Sequence, residues 1–266
     1  MASRTVRTRG MESPYAQDQI AAFVLHPVIS AAFIALAALS LTRTTVAVVL
    51  SPFVLLSVVV VGLWMYISWA DPAGEGGCPL KTKGVDTPHY CNYCRKTVKG
   101  FDHHCSWLNT CISVRNYAHF YMLGVSGSLL YAYMTTVGVL ATVLVDKREQ
   151  RSALGSLTGY RVAWGVFIAV AGWIAVSFVA LAGFHTYLLW KGLGTYDWVL
   201  LQNQKRQELL ARRRNERNNG SQFECCGRSG SQRRPSISTV QDAGAVEGVG
   251  EGRGSWGGVA MGIGVT

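Results

Sequence analysis

The sequence predicts an all-α integral membrane protein: four transmembrane helices with a small cysteine-rich loop between the second and third. Three observations carry this reading. Of 266 residues, 49% are hydrophobic and only 15% are charged, where a soluble domain carries about a quarter charged. Residues 20–41, 46–70, 118–145 and 162–190 contain no Asp, Glu, Lys or Arg. Five of the seven cysteines fall between the second and third of these runs. Each run exceeds the ~20 residues a helix needs to cross the hydrocarbon core. Backbone polar groups left unpaired in lipid are so costly that such runs must be helical. Four uncharged runs of this length argue against the buried helices of a soluble enzyme.

Along the chain, residues 1–19 are polar and predicted to be a flexible N-terminus. The first apolar run reads as a retained span rather than a signal peptide. Glu12 and Asp18 precede it, it is too long for an h-region, and no clean small-residue cleavage site follows. Residues 20–70 form a helical hairpin whose turn is 42–45. The loop, 71–117, opens on Asp71-Pro72-Ala73-Gly74, a helix stop. It has no long apolar period, so a metal rather than a core is expected to organise it. Residues 118–190 hold spans three and four, joined by 146–161. Residues 191–218 are a basic amphipathic segment with a helix expected over 199–215. Residues 219–266 are rich in Gly and Ser and are expected to be disordered.

Basic residues set the orientation. The N-terminus, the central loop and the tail together carry twenty of the 25 Lys and Arg residues, and the two opposite connections carry five. The termini and the central loop are therefore expected in the cytosol. The net charge of +10 then lies mostly at an inner membrane face, where anionic headgroups account for it. A lipid bilayer, and no nucleic acid, is the partner this implies. A cytosolic loop is reducing, which favours metal binding or catalysis over disulfides for its cysteines.

The chemistry concentrates in this loop. Cys91-Asn92-Tyr93-Cys94 is a C-x-x-C pair, the common half-site for structural zinc. The other half must come from His103, His104, Cys105 or Cys111. Neighbouring side chains in an extended segment point opposite ways, so His103 and His104 do not readily share an ion. One solution is Cys91, Cys94, His104 and Cys111, leaving His103 and Cys105 free. The other is an all-cysteine site that consumes Cys105. The first accounts for more residues.

Only a thiolate attacks well, and a nearby imidazole can take the thiol proton. A carboxylate behind that imidazole would fix its tautomer and stabilise the imidazolium. Asp102, His103 and Cys105 are the residue types this requires. Asp102 also suits a partner that merely orients a metal-bound histidine. Phe101 and Trp107 flank the cluster, and spans bracket it. A thiolate placed there can meet an acyl chain in the membrane while Lys96, Lys99 and Arg115 face a polyphosphate carrier.

These residues resemble the DHHC-type protein S-acyltransferases. The match includes Asp71-Pro72, Cys91-x-x-Cys94, Lys99-Gly100-Phe101-Asp102-His103-His104-Cys105, Trp107-Leu108-Asn109, Cys111 and Asn116-Tyr117-x-x-Phe120. Gly194-Thr195-Tyr196-Asp197 resembles the family's TTxE motif. The resemblance implies a catalytic triad of Cys105, His103 and Asp102, and zinc held by Cys91, Cys94, His104 and Cys111. It further implies palmitoyl-CoA as acyl donor, with Trp107 as a candidate contact. The receivers would be proteins with membrane-proximal cysteines, and the location an endomembrane or plasma membrane. Family loops usually carry a second zinc site. Here Lys81, Tyr90 and Thr97 occupy three of its four ligand positions, leaving Cys78, so one zinc is expected. Ser106 stands where the family usually has proline. The competing reading is a catalytically weak or inactive membrane adaptor using the zinc loop to bind proteins. Cys225-Cys226 is a candidate acylation site in the tail. His26 and His185 are expected to pack between helices.

Overall fold

The computed structural model describes residues 6–74, 88–146 and 153–226, with side chains through Asn218. Cys78, Lys81, the tail beyond residue 226 and the side chains of Cys225 and Cys226 lie outside the described residues. Four helices are long and apolar enough to span a bilayer: α1 Gln17–Ser40, α2 Arg43–Trp69, α3 Tyr117–Leu144 and α4 Leu157–Lys191. The shortest has 24 residues, about 36 Å at 1.5 Å per residue, which exceeds the ~30 Å hydrocarbon core. The chain is a multi-pass membrane protein.

α2 and α4 begin upstream of their uncharged runs because their N-caps are polar. The Thr42 hydroxyl accepts the Thr45 N–H at 3.4 Å, so α2 begins at Arg43. Ser156 accepts the Gly159 N–H at 2.9 Å and draws Arg161 into the first turns of α4.

Lipid offers helices no hydrophobic reason to associate, so close packing and polar contacts must do so. The most extensive pairing is α3 with α4, then α2 with α3, while α1 rests more lightly on both α2 and α4. Gly127 makes the first of these possible: a Cβ there would stand 2.6 Å from the Phe178 ring. Side-chain bonds tie the rest. Tyr133 donates to Val49 O at 2.7 Å, Tyr160 to Ala141 O at 3.0 Å, and the Trp164 indole N–H to Ser40 Oγ at 3.1 Å. His26 Nδ1 lies 2.9 Å from the Tyr131 hydroxyl, joining α1 to α3. Phe33, Phe53, Trp164 and Phe167 fill the interior, while Leu55, Val58, Val143 and Trp173 face outward, as lipid contact requires.

The loop contains two antiparallel hairpins. In the first, β1 (Pro88–Cys91) pairs with β2 (Lys96–Lys99), placing Tyr90 opposite Thr97. In the second, β3 (Phe101–Cys105) pairs with β4 (Thr110–Ser113), placing His104 opposite Cys111. Gly100, at φ +59°, turns the chain between them.

The N-terminus departs from its expected flexibility. From residue 6 it is docked: Arg7 N–H donates to Cys94 O at 3.0 Å and Gly10 N–H to Ser68 O at 2.8 Å. A last helix, α5, runs Thr195–Cys226, into the segment expected to be disordered. From Leu200 it belongs to a separate compact unit, in which residues 200–218 are exposed and include the Arg212-Arg213-Arg214 run.

Candidate active site and metal centre

Strand alternation sorts the loop's reactive side chains onto two faces. His104 meets Cys91, Cys94 and Cys111, which with Val98 form a small buried cluster. Cys105 belongs instead to the apolar cluster of the helices. His103 shares that side, its ring edge-on to Phe120 at 5.2 Å. Residues two apart on a strand face the same way, so His103 and Cys105 come together and His104 is excluded from them.

Cys91, Cys94, His104 and Cys111 are all buried, and their donor atoms lie within 4.8 Å of one another. His104 Nδ1 is 3.7 Å from Cys91 Sγ, 3.4 Å from Cys94 Sγ and 3.8 Å from Cys111 Sγ. The Cys94 and Cys111 sulfurs are 3.5 Å apart. Zinc bonds of about 2.3 Å to sulfur and 2.0 Å to nitrogen imply tetrahedral edges of about 3.8 Å (S···S) and 3.5 Å (N···S). The cluster fits one such ion in size and in donor chemistry. The C-x-x-C turn supports it, with the Cys94 N–H directed at Cys91 Sγ at 3.4 Å. The Tyr93 ring stacks on His104 at 4.8 Å. Among the described residues this is the one cluster that could hold a metal.

Asp102 is the residue that simple alternation misplaces. A register irregularity between Phe101 and His103 leaves it out of the ladder, and such a bulge re-aims a side chain. Its Oδ2 accepts from His103 Nδ1 at 2.7 Å. Two further donors come from the start of α5: Thr195 N–H reaches Oδ1 at 3.0 Å, and Thr195 Oγ1 reaches Oδ2 at 2.6 Å. Asp102, His103 and Thr195 are all buried.

Burial disfavours a charged His103. The hydrogen bond and charge of Asp102, together with the Cys105 sulfur in hydrogen-bonding reach, outweigh it and push the pKa up to about 9. The stabilisation gained is complete below the ordinary histidine value of about 6.5 and is lost as pH rises through about 9. The ring nitrogens of His103 should therefore titrate near pH 9 by NMR. A midpoint at the ordinary value would mean that Asp102 does not hold the proton.

Two residues lie beside Asp102 and His103 that the sequence did not place there, although it did expect His185 to pack between helices. Thr195 was visible only as part of a short motif. His185, buried in α4, lies 5.8 Å from His103 ring to ring and bonds the Tyr117 hydroxyl at 3.1 Å. An ionisable residue inside a span is itself a signal of function. Trp107 is half exposed in the turn after Cys105 and is not drawn into the triad. Tyr90 and Thr97, which stand at two ligand positions of the family's second metal site, face each other across the first hairpin.

Known proteins share this part of the chain. Residues 80–202 match the family model described as DHHC palmitoyltransferase. Protein S-acyltransferase 8 of Arabidopsis thaliana is 31% identical over 109 residues, covering 41% of this chain and 26% of that protein. Human palmitoyltransferase ZDHHC8 is 36% identical over 131 residues, covering 46% and 16% respectively. Human palmitoyltransferase ZDHHC14 is 36% identical over 101 residues, covering 38% and 20%. The matched region thus spans about a quarter or less of these relatives.

Proposed function

Residues 80–202 belong to the DHHC palmitoyltransferase family, and on that premise we propose that the chain is a protein S-acyltransferase with Cys105 as its nucleophile. The observation that carries this is the placement of Cys105. It is buried at the apolar interior of the membrane helices, within reach of an imidazole that a carboxylate holds at 2.7 Å. A long acyl chain can lie among the helices while its carbonyl meets the sulfur.

In the first step the Cys105 proton rests on His103, whose raised pKa favours the imidazolium, and Sγ attacks the carbonyl of an acyl-CoA. A new C–S bond forms to Cys105, the C–S bond to coenzyme A breaks, and the coenzyme thiol leaves with the proton from His103. In the second step the thiol of a protein cysteine attacks the acyl-enzyme. Its proton passes through His103 to the departing Cys105 sulfur. Asp102 keeps Nδ1 protonated throughout, so that Nε2 handles the transferred proton. Palmitoyl-CoA is the favoured donor, and proteins with membrane-proximal cysteines are the receivers. Half-exposed Trp107 is suited to contact the donor. Zinc at Cys91, Cys94, His104 and Cys111 would supply structure, fixing β3 from the residue between base and nucleophile. Both termini and the loop face the cytosol in this reading, as the distribution of Lys and Arg supports.

Incubation of the purified protein with a fluorescent palmitoyl-CoA tests it. The expected result is a hydroxylamine-labile label that survives Cys225→Ser/Cys226→Ser and disappears in Cys105→Ser. No label on folded, zinc-loaded protein would reject the enzyme and favour a membrane adaptor.

A further inference from the structure

The turn that follows Cys105 is held by a segment nearly a hundred residues earlier in the chain. Residues 106–109 join β3 to β4, closed by Leu108 N–H to Cys105 O at 3.3 Å and Asn109 N–H to Ser106 O at 3.2 Å. Asn109 adopts φ +53°, a left-handed conformation that side-chain bonding helps asparagine to hold. Three of the turn's four residues contact the N-terminal segment. The Arg7 guanidinium donates to Asn109 Oδ1 and, at 2.6 Å, to Pro14 O. Asn109 Nδ2 returns bonds to Gly10 O and Pro14 O, each at 3.2 Å. Ser106 Oγ donates to Asp18.

Gly10 is the knot of this contact. Its N–H binds Ser68 O at the end of α2, and its carbonyl also accepts from the buried Gln19 side chain at 3.0 Å. A Cβ at this position would stand 2.1 Å from Leu108 O and 3.2 Å from Ser68 O. Only glycine lets the segment approach the turn so closely. Around it, Lys96 Nζ binds Thr8 O at 3.0 Å, and the Arg9 guanidinium lies 5.3 Å from the centre of the Trp69 ring. The segment therefore grips α1, α2 and both hairpins of the loop at once.

We propose that residues 6–19 are a positioning strap that fixes the 106–109 turn, and through it the Cys105 sulfur, against the membrane helices. This rests on the acyltransferase reading above. Cys105 ends β3, one residue after the metal-binding His104. The metal can hold that strand from its upstream side, and the strap holds it from its downstream side. None of the side-chain bonds of Arg7 and Asn109, nor the carbonyl bonds of Gly10, reaches the four metal-cluster residues. Arg7 also bonds Cys94 O, but through its backbone N–H, which Arg7→Ala and Arg7→Lys both retain.

The test uses the full-length protein with Gly10→Val, Arg7→Ala and Arg7→Lys substitutions. Single-turnover acylation by palmitoyl-CoA is measured with zinc content and with amide exchange of the 105–111 segment. Positioning predicts that Gly10→Val and Arg7→Ala slow acylation at saturating donor by about 10- to 100-fold, with KM and zinc content unchanged. Exchange at Leu108 and Asn109 should accelerate in both. Arg7→Lys should recover part of the rate, since it keeps one donor. Wild-type rates with unchanged exchange would overturn the proposal. So would zinc loss in proportion to lost activity, which would make the strap a fold support. Wild-type protein that takes no label would sink the acyltransferase reading instead. Exchange alone would then decide: faster exchange in the variants upholds the grip, and unchanged exchange overturns it.

Discussion

Asp102→Asn should slow acyl-enzyme formation by about 10²- to 10⁴-fold, the range over which positioned acid–base catalysis contributes. The size follows from the hydrogen bonds. Both carboxylate oxygens only accept: Oδ1 from Thr195 N–H, and Oδ2 from His103 Nδ1 and Thr195 Oγ1. An asparagine that places its amide nitrogen at the Oδ1 position sets donor against the Thr195 N–H, and one that places it at the Oδ2 position makes His103 Nδ1 an acceptor, the wrong tautomer for catalysis. The negative charge that holds the His103 proton disappears as well, and the His103 pKa falls from about 9. Asp102 is not among the four donors of the metal cluster, so zinc content should stay unchanged. Single-turnover labelling of Cys105 measures the effect. A variant within threefold of the parent would show that the carboxylate only orients the strand.

The second large effect is expected from the metal centre. Cys111→Ser, or exhaustive chelation, should abolish acylation and remove amide protection from both hairpins while the four helices persist. Two-stranded hairpins are marginal by themselves in water. The buried cluster between these two is three thiols, Val98 and the adjoining Phe101, too little apolar surface to replace the metal. Structural zinc contributes about 10–16 kcal/mol to small metal-organised peptides, which is more than a loop of this size holds in reserve. Metal analysis, hydrogen exchange and Cys105 labelling on one sample provide the check. Metal-free protein that still acylates at the parent rate would refute the assignment.

Much of this architecture is written into the sequence in simple periods. A span without charge declares itself by length, so the four helices were legible, but their starts were not: α1 takes in Asp18, and the polar caps of α2 and α4 draw in Arg43 and Arg161. The split between His103 and His104 was legible too, because strand alternation is a local rule. The sequence left two metal solutions open, and the cross-strand pairing of His104 with Cys111 favours the one that spares Cys105. The aim of Asp102 was not legible. It depends on a bulge, and nothing in the run Phe101-Asp102-His103 marks one. Thr195 and the N-terminal strap escaped for a different reason. Their bonds reach across 93 and about 100 residues, and a polar N-terminus looks the same in sequence whether it is solvated or docked. Tyr131 and Tyr133 lie two positions apart in the same uncharged run. The structure separates them, one bonded to His26 and the other to the α2 backbone.

The bonds from Thr195 to Asp102 also impose a schedule on biosynthesis. The segment carrying the nucleophile emerges from the ribosome long before residue 195 does, and α4 must enter the bilayer in between. Until then the carboxylate lacks two of its donors and the helical lining around Cys105 is incomplete. In the acyltransferase reading, a half-made chain would carry Cys105 without the Thr195 bonds that hold Asp102, and transfer would wait until insertion of the last span is complete.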